Sequence, residues 1–204
     1  MNKKIKVLLV EDDFDYAYLV EKKITKDERL SYVGHAPCKA TGIEMARSLQ
    51  PDVVVMDLSL SSSDLNGIEG VEAAKVIRIA TDARIVFLTA HEDSDTMKNA
   101  SKKAFASGYL CKSQHNQYND EIFNSATSAT TPHKEFIKEL VLAQLTYSER
   151  SILDGLLDGR IKNNTDTSSL MGSSKKTIAN QKSSIFSKLG LKNEKELLHV
   201  FGNW

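Results

Sequence analysis

Five short apolar runs separated by longer stretches of helical period constrain this chain more than any other feature. The runs are Ile5 to Val10, Tyr32 to Ala36, Val53 to Met56, Ile85 to Leu88 and Gly108 to Cys111. Between them Tyr16, Leu19, Val20 and Ile24 recur at helical spacing, as do Ala40, Ile43, Ala46 and Leu49, and then Val71, Ala74, Ile77 and Ala80. Such near-continuous apolar runs suit strands buried on both faces. Their alternation with helices predicts a parallel sheet wrapped on both sides and joined by right-handed crossovers. The expected fold of this half is therefore an α/β doubly wound, five-stranded parallel sheet.

From Leu145 onward the strand pattern stops. Thr146-Tyr147-Ser148-Glu149 reads as a capping box, and Ile152, Leu153, Leu156 and Leu157 follow at helical spacing until Gly159. A polar stretch, Asn163 to Met171, precedes Ser174, which suits the N-cap of a helix from Lys175 to Leu189 ended by Gly190. A short helix over about Glu194 to Val200 closes the chain. This half should be a small all-α domain. Residues 113–143 read as a last helix of the first domain plus a helical or flexible connector, with Pro132 suited to a first helical position. The expected division is 1–125, a linker over 126–144, and 145–204.

Two cysteines and five scattered histidines give no zinc spacing, so a disulfide scaffold is not expected and free thiols are. Glu11-Asp12-Asp13 cuts the first apolar run short of a secretory signal, and no stretch approaches the ~20 residues of a membrane span. A cytoplasmic protein with no membrane partner is expected.

In a doubly wound sheet, ligands gather at the carboxyl ends of the strands. Five polar side chains fall there: Glu11 and Asp12 after the first strand, Asp57 after the third, Thr89 after the fourth and Lys112 after the fifth. Each alone has an ordinary explanation, as a turn residue, a helix cap, dipole compensation or a solvated tip. Together they suggest chemistry. Three close carboxylates make a hard oxygen site that suits Mg²⁺. Asp57 is placed to attack phosphorus, Lys112 to pair with phosphate oxygens, and Thr89 to hydrogen-bond one of them.

Val-Glu11-Asp12-Asp13, Val-Val-Met-Asp57-Leu, Phe-Leu-Thr89-Ala90 and Gly-Tyr109-Leu-Cys-Lys112-Ser resemble the receiver domain of two-component response regulators, a flavodoxin-like fold. The resemblance implies that Asp57 accepts phosphate from the phosphohistidine of a cognate sensor histidine kinase. It implies that Asp12 ligates Mg²⁺ directly, that Glu11 acts largely through water, and that the Ser59 carbonyl completes the site. Asp13 is carried only as a possible contributor. Thr89 and Tyr109 match the family's switch pair, in which the hydroxyl moves toward the phosphate and the aromatic ring turns inward, while Ser59 and His91 fall where such proteins tune the phosphate's lifetime. The segment Leu60 to Asn66, ahead of Gly67, lacks the usual proline and has about two residues more than the family's usual loop, so a looser loop is expected.

The predicted helix Lys175 to Leu189 holds four lysines and no acid. Ile178, Ile185, Phe186 and Leu189 make its apolar face. Lys175, Lys176, Asn180, Lys182, Ser183 and Lys188 are then expected to point mostly outward, an arrangement suited to a DNA major groove. Alone, such a helix is equally a soluble surface helix. Leu145-Thr146-x-x-Glu149-Arg150-x-Ile152-Leu153, Gly159 and Ser174-x-x-Thr177-Ile178-x-Asn180-Gln181-x-x-x-Ile185-x-x-Lys188-Leu189-Gly190-Leu191 resemble the LuxR-type helix-turn-helix of NarL/FixJ regulators. The resemblance implies a recognition helix over 174–189. Lys175, Lys176, Thr177, Asn180, Lys182, Ser183 and Lys188 are its DNA-contacting candidates, with a homodimer on promoter DNA. The segment Asn163 to Met171 offers few apolar anchors for the family's scaffold helix, and Ser173 replaces a usual Ile.

The chain is neutral overall, with 27 basic and 27 acidic residues, but unevenly so. Residues 1–120 carry net −2, residues 121–144 net −1 and residues 145–204 net +3, so neutrality does not argue against a nucleic-acid partner. The expected function is phosphorylation-controlled transcription regulation, not enzymatic turnover. A signalling adaptor whose helical domain binds protein is the alternative. An Mg²⁺-dependent phosphohydrolase is disfavoured, because such enzymes use a second Asp two residues beyond the nucleophile and Ser59 stands there.

Overall fold

Val53-Val54-Val55-Met56 have no polar side chain to offer water, and all four are fully buried at the centre of a parallel sheet. In this computed structural model, which describes residues 3–60, 68–90, 94–113, 115–127, 131–161 and 174–202, the strands are β1 (Ile5–Val10), β2 (Leu30–Ala36), β3 (Val53–Asp57), β4 (Arg84–Thr89) and β5 (Gly108–Cys111). Their order is β2-β1-β3-β4-β5, all parallel. The fold is the doubly wound one expected. β2 starts at Leu30, two residues before the apolar run, because Leu30 pairs with Ile5. β3 and β4 run on to include Asp57 and Thr89, so both polar residues are held by ladder pairing.

Odd-numbered β1 and β3 side chains (Val7, Leu9, Val53, Val55) join Val86, Leu88 and Leu110 in one core cluster. It is covered by α1 (Phe14–Thr25) through Ala17, Val20 and Ile24, and by α5 (Tyr118–Ala126) through Tyr118 and Ile122. The other helices of this unit are α2 (Lys39–Leu49), α3 (Ile68–Ala80) and α4 (Ser94–Ala104). Alternation of side chains across the pleat explains why each strand needs apolar residues at consecutive positions.

Contacts divide the chain into two compact units, Met1–Lys138 and Glu139–Trp204. A helix, α6 (Pro132–Leu142), crosses that division, with Pro132 at its first position as expected. The second unit contains α7 (Tyr147–Leu157), α8 (Lys175–Leu189) and α9 (Glu194–Gly202). Both arms of the capping box form: Glu149 N–H donates to Thr146 Oγ1 (3.3 Å) and Thr146 N–H donates to Glu149 Oε2 (2.7 Å). Ser174 caps α8 by accepting from Thr177 N–H at 3.1 Å, and α8 ends at Gly190 in the left-handed region. The loop 61–66, His91, Asn163 to Met171 and Ser173 lie outside the described residues.

Candidate functional site

The carboxyl ends of the strands bring the expected acids together. Glu11, Asp12 and Asp57 offer oxygens within 4.8 Å of one another, the one such group of three among the described residues. Glu11 and Asp57 are buried, and Asp12 reaches solvent. Asp13 is not part of the group. Its carboxylate caps α1, accepting from the amides of Asp15 (2.9 Å) and Tyr16 (3.0 Å), the ordinary use of an Asp before a helix.

Lys112, the residue after β5, lies between the two buried acids. Its Nζ donates to Asp57 Oδ2 at 3.1 Å and stands 2.7 Å from Glu11 Oε2. The second approach is outside hydrogen-bond geometry, which leaves Glu11 Oε2 as a buried oxygen with no hydrogen bond. Burial and then the Asp57 charge push the Glu11 carboxyl up to about 7, against the pull of Lys112. Burial also raises Asp57, again against Lys112. For Lys112, burial alone would lower the ammonium's pKa, but its two carboxylate partners outweigh it and hold the group above its ordinary value. One ammonium thus balances two buried carboxylates, and Asp12 adds a third acid. With three close carboxylates against one ammonium the site carries excess negative charge, which fits a hard divalent cation.

Two aromatic residues fix Lys112. The Tyr16 ring lies 4.6 Å from Nζ, and its hydroxyl donates to the Lys112 carbonyl at 3.4 Å. The Tyr118 hydroxyl donates to the Cys111 carbonyl at 3.1 Å and accepts from the Tyr16 hydroxyl, whose single proton is shared with the more distant Lys112 carbonyl. Burial raises the pKa of both phenols. Thr89 is buried, pairs with Cys111 across the β4–β5 ladder, and accepts from Lys112 N–H at its carbonyl (2.7 Å). Tyr109 pairs with Phe87, two positions down the same ladder, and is half-buried. Ser59 is exposed, and its N–H reaches Asp57 Oδ1 at 3.4 Å.

Sequence reasoning missed Gly70. A Cβ there would sit 2.2 Å from the Asp57 carbonyl oxygen and 2.6 Å from that of Leu58, so α3 packs directly on the backbone that carries Asp57. A glycine in the first turn of an amphipathic helix was the available signal, since glycine costs helix stability unless close approach requires it.

In the second unit the outward reading of the basic helix is corrected at Lys182, and Lys188, exposed as expected, has its charge engaged within the unit. Lys182 is buried on the same side of α8 as Ile178, Ile185 and Leu189, and its Nζ pairs with Glu194 of α9 at 3.1 Å. Lys188 keeps an exposed stem, but its Nζ donates to the buried Glu149 carboxylate of α7 at 2.6 Å. Ser184 donates to the other Glu149 oxygen at 2.7 Å. These two lysines hold the helices together. Lys175, Lys176, Thr177, Asn180 and Ser183 are exposed as expected.

A parallel α/β domain with acids and a lysine at its strand ends, followed by a small helical domain with an exposed basic helix, defines the class. Residues 7–122 match the response regulator receiver domain family, and residues 143–201 match the luxR family of bacterial regulatory proteins. The chain belongs to the response regulators, of the NarL/FixJ type with a receiver and a LuxR-type domain. It is 27% identical to the response regulator UvrY of Escherichia coli K12, over 96% of this chain and 93% of that one. It is 35% identical to the response regulator GacA of Pseudomonas aeruginosa over 53% of this chain and 48% of that one. RcsB of Salmonella typhimurium shares the fold, with a TM-score of 0.54 at 22% identity over 98% of both chains. RcsB from Salmonella enterica serovar Typhimurium bound to promoter DNA with phosphomimetic BeF₃⁻ aligns with a TM-score of 0.53 at 20% identity, over 98% of this chain and 99% of that one. No helix among the described residues is long and apolar enough to cross a membrane.

Proposed function

We propose that Asp57 accepts a phosphoryl group from the phosphohistidine of a sensor kinase and that this controls binding of promoter DNA by the second domain. The observation that carries the reading is the Lys112 ammonium placed between Asp57 and Glu11, with Asp12 beside them. An Asp57 oxygen forms the new P–O bond as the P–N bond to the kinase histidine breaks, and the imidazole leaves with the electron pair. Lys112 neutralises oxygens of the transferred group, and the Thr89 hydroxyl donates a hydrogen bond to one of them. Asp12, Asp57 and the Ser59 carbonyl would hold Mg²⁺, with Glu11 acting through water. The ion, when bound, supplies positive charge to the phosphoryl oxygens. Thr89 and Tyr109 are the switch pair.

The proposal includes the division of the chain into a receiver over 1–125, a helical linker over 126–144 and a LuxR-type domain over 145–204. It also includes action as a homodimer in the cytoplasm, and regulation without turnover of a substrate. DNA contact is assigned to the exposed start and outer side of α8: Lys175, Lys176, Thr177, Asn180 and Ser183. Lys182 and Lys188 stay in the proposal only as residues that set the position of this helix. Their internal pairing favours a second reading, a protein-binding adaptor, because it removes two cations from the DNA face. A mobility shift on genomic promoter fragments, with and without acetyl phosphate and Mg²⁺ and across a salt series, separates the two. Steeply salt-dependent binding enhanced by the phosphodonor supports regulation of DNA; salt-independent behaviour or no shift supports the adaptor.

A further inference from the structure

The start of α6 is attached to β5 and α5 of the receiver. His133, in the first turn of α6, lays its ring against Tyr109 with centroids 4.2 Å apart and planes inclined by 31°. Its Nδ1 is bonded to Glu121 Oε1 of α5 at 3.2 Å. The Glu121 carboxylate lies over Gly108, where a Cβ would come within 2.2 Å of Oε1, so the residue before Tyr109 has to be glycine for this arrangement. The same turn is secured by Lys134 N–H donating to the buried Thr131 Oγ1 at 3.1 Å, and by buried Ile137.

These groups form one chain of contacts: α5 through Glu121, α6 through His133, and β5 through Tyr109. All belong to the first unit, yet α6 continues past Lys138 into the second. An aromatic pair and a hydrogen bond on a half-buried surface are each modest, and such local contacts open more readily than the sheet core. Glu121 raises the His133 pKa, its hydrogen bond outweighing the cost of burial.

We propose that His133 latches the first turns of α6 onto Tyr109 in the unphosphorylated chain, so that inward movement of the Tyr109 ring removes the stacking partner and frees α6. His133 is a positioning residue in this scheme and touches no reacting atom. The inference rests on the assignment of Asp57 and Tyr109 above.

Hydrogen exchange of the full chain, followed by mass spectrometry on peptides from Pro132–Leu142, tests it. Without a phosphodonor, His133→Ala should speed exchange in this segment about three- to tenfold, the effect of losing one aromatic pair. His133→Phe, which keeps a ring but not the bond to Glu121, should fall between. Peptides of β1 and β3 report whether either variant has lost its fold. With acetyl phosphate and Mg²⁺, the wild-type segment should move most of the way to the His133→Ala rate, the bond to Glu121 being kept, and His133→Ala should gain nothing more. Intact mass measured on the same samples reports phosphoryl occupancy. If Asp57 is not labelled, the phosphorylation reading fails while the first comparison still decides whether the latch exists. Unchanged exchange in His133→Ala with β1 and β3 protected overturns the latch. Full labelling with α6 still protected overturns its release.

Discussion

Glu149 should hold the second domain together more than any other single side chain. It is 4% exposed and is tied to three groups on two helices: the Thr146 amide, the Ser184 hydroxyl and the Lys188 ammonium. Burial acts to raise its pKa, but Lys188, Thr146 and Ser184 together outweigh burial and bring it down to about 2 from an ordinary 4.5. A depression of that size corresponds to roughly 3 kcal/mol of stability, and the part-exposed Lys188 screens this to about 2 kcal/mol. The sign follows from the depressed pKa. The contribution is complete above pH 4.5 and is lost as pH falls towards 2. Glu149→Gln keeps an oxygen for Thr146 but loses the charge, and should cost about 2 kcal/mol. Glu149→Ala also loses the cap, and should cost about 3 kcal/mol. Hydrogen exchange at pH 7 in peptides of α7 and α8 measures these as roughly 30-fold and roughly 150-fold faster opening, with the strands β1 to β5 as internal control. Acid titration of the same peptides should show a loss of protection below pH 4.5 that Glu149→Gln abolishes. A change below about 0.5 kcal/mol in both variants, or an equal change in the receiver peptides, refutes the assignment.

Three further outcomes are expected. Lys112→Met removes the cation between Glu11 and Asp57, so Mg²⁺ should bind at least about fivefold tighter by calorimetry while labelling by acetyl phosphate slows at least about tenfold. Gly70→Ala forces a methyl into the Asp57 and Leu58 carbonyls and should cost about 1–3 kcal/mol in thermal unfolding, together with slower labelling. In DNA binding, Lys175→Ala and Lys176→Ala should each reduce the slope of log K against log salt by about 1 per protomer. Lys182→Ala should leave the slope unchanged and lower stability instead, because its charge is committed to Glu194.

The fold was legible because the physics of a buried parallel strand leaves little choice of residue: Val53 to Met56 are apolar at every position, and both faces are covered. The helix boundaries at Thr146, Ser174 and Gly190 were legible because caps are local chemistry. Asp57, Glu11 and Lys112 were legible as a set because strand ends share one edge. Lys182 was misplaced although its spacing of four from Ile178 and three to Ile185 puts it on the buried stripe. Counting lysine as polar hid that a long aliphatic stem can be buried when an acid receives its tip. Glu149 lies 39 residues from Lys188, and no local pattern announces such a pair. Gly70 and the His133–Tyr109 stack depend on how α3 and α6 approach other elements, which periodicity does not specify.

The most direct test of the central claim is the site of phosphorylation itself. Incubation of the full chain with acetyl phosphate and Mg²⁺, followed by peptide mapping of the acyl phosphate, should place a single phosphoryl group on Asp57, with none in Asp57→Asn and none in the presence of excess chelator. Labelling that persists in Asp57→Asn, or that maps to another residue, contradicts the account.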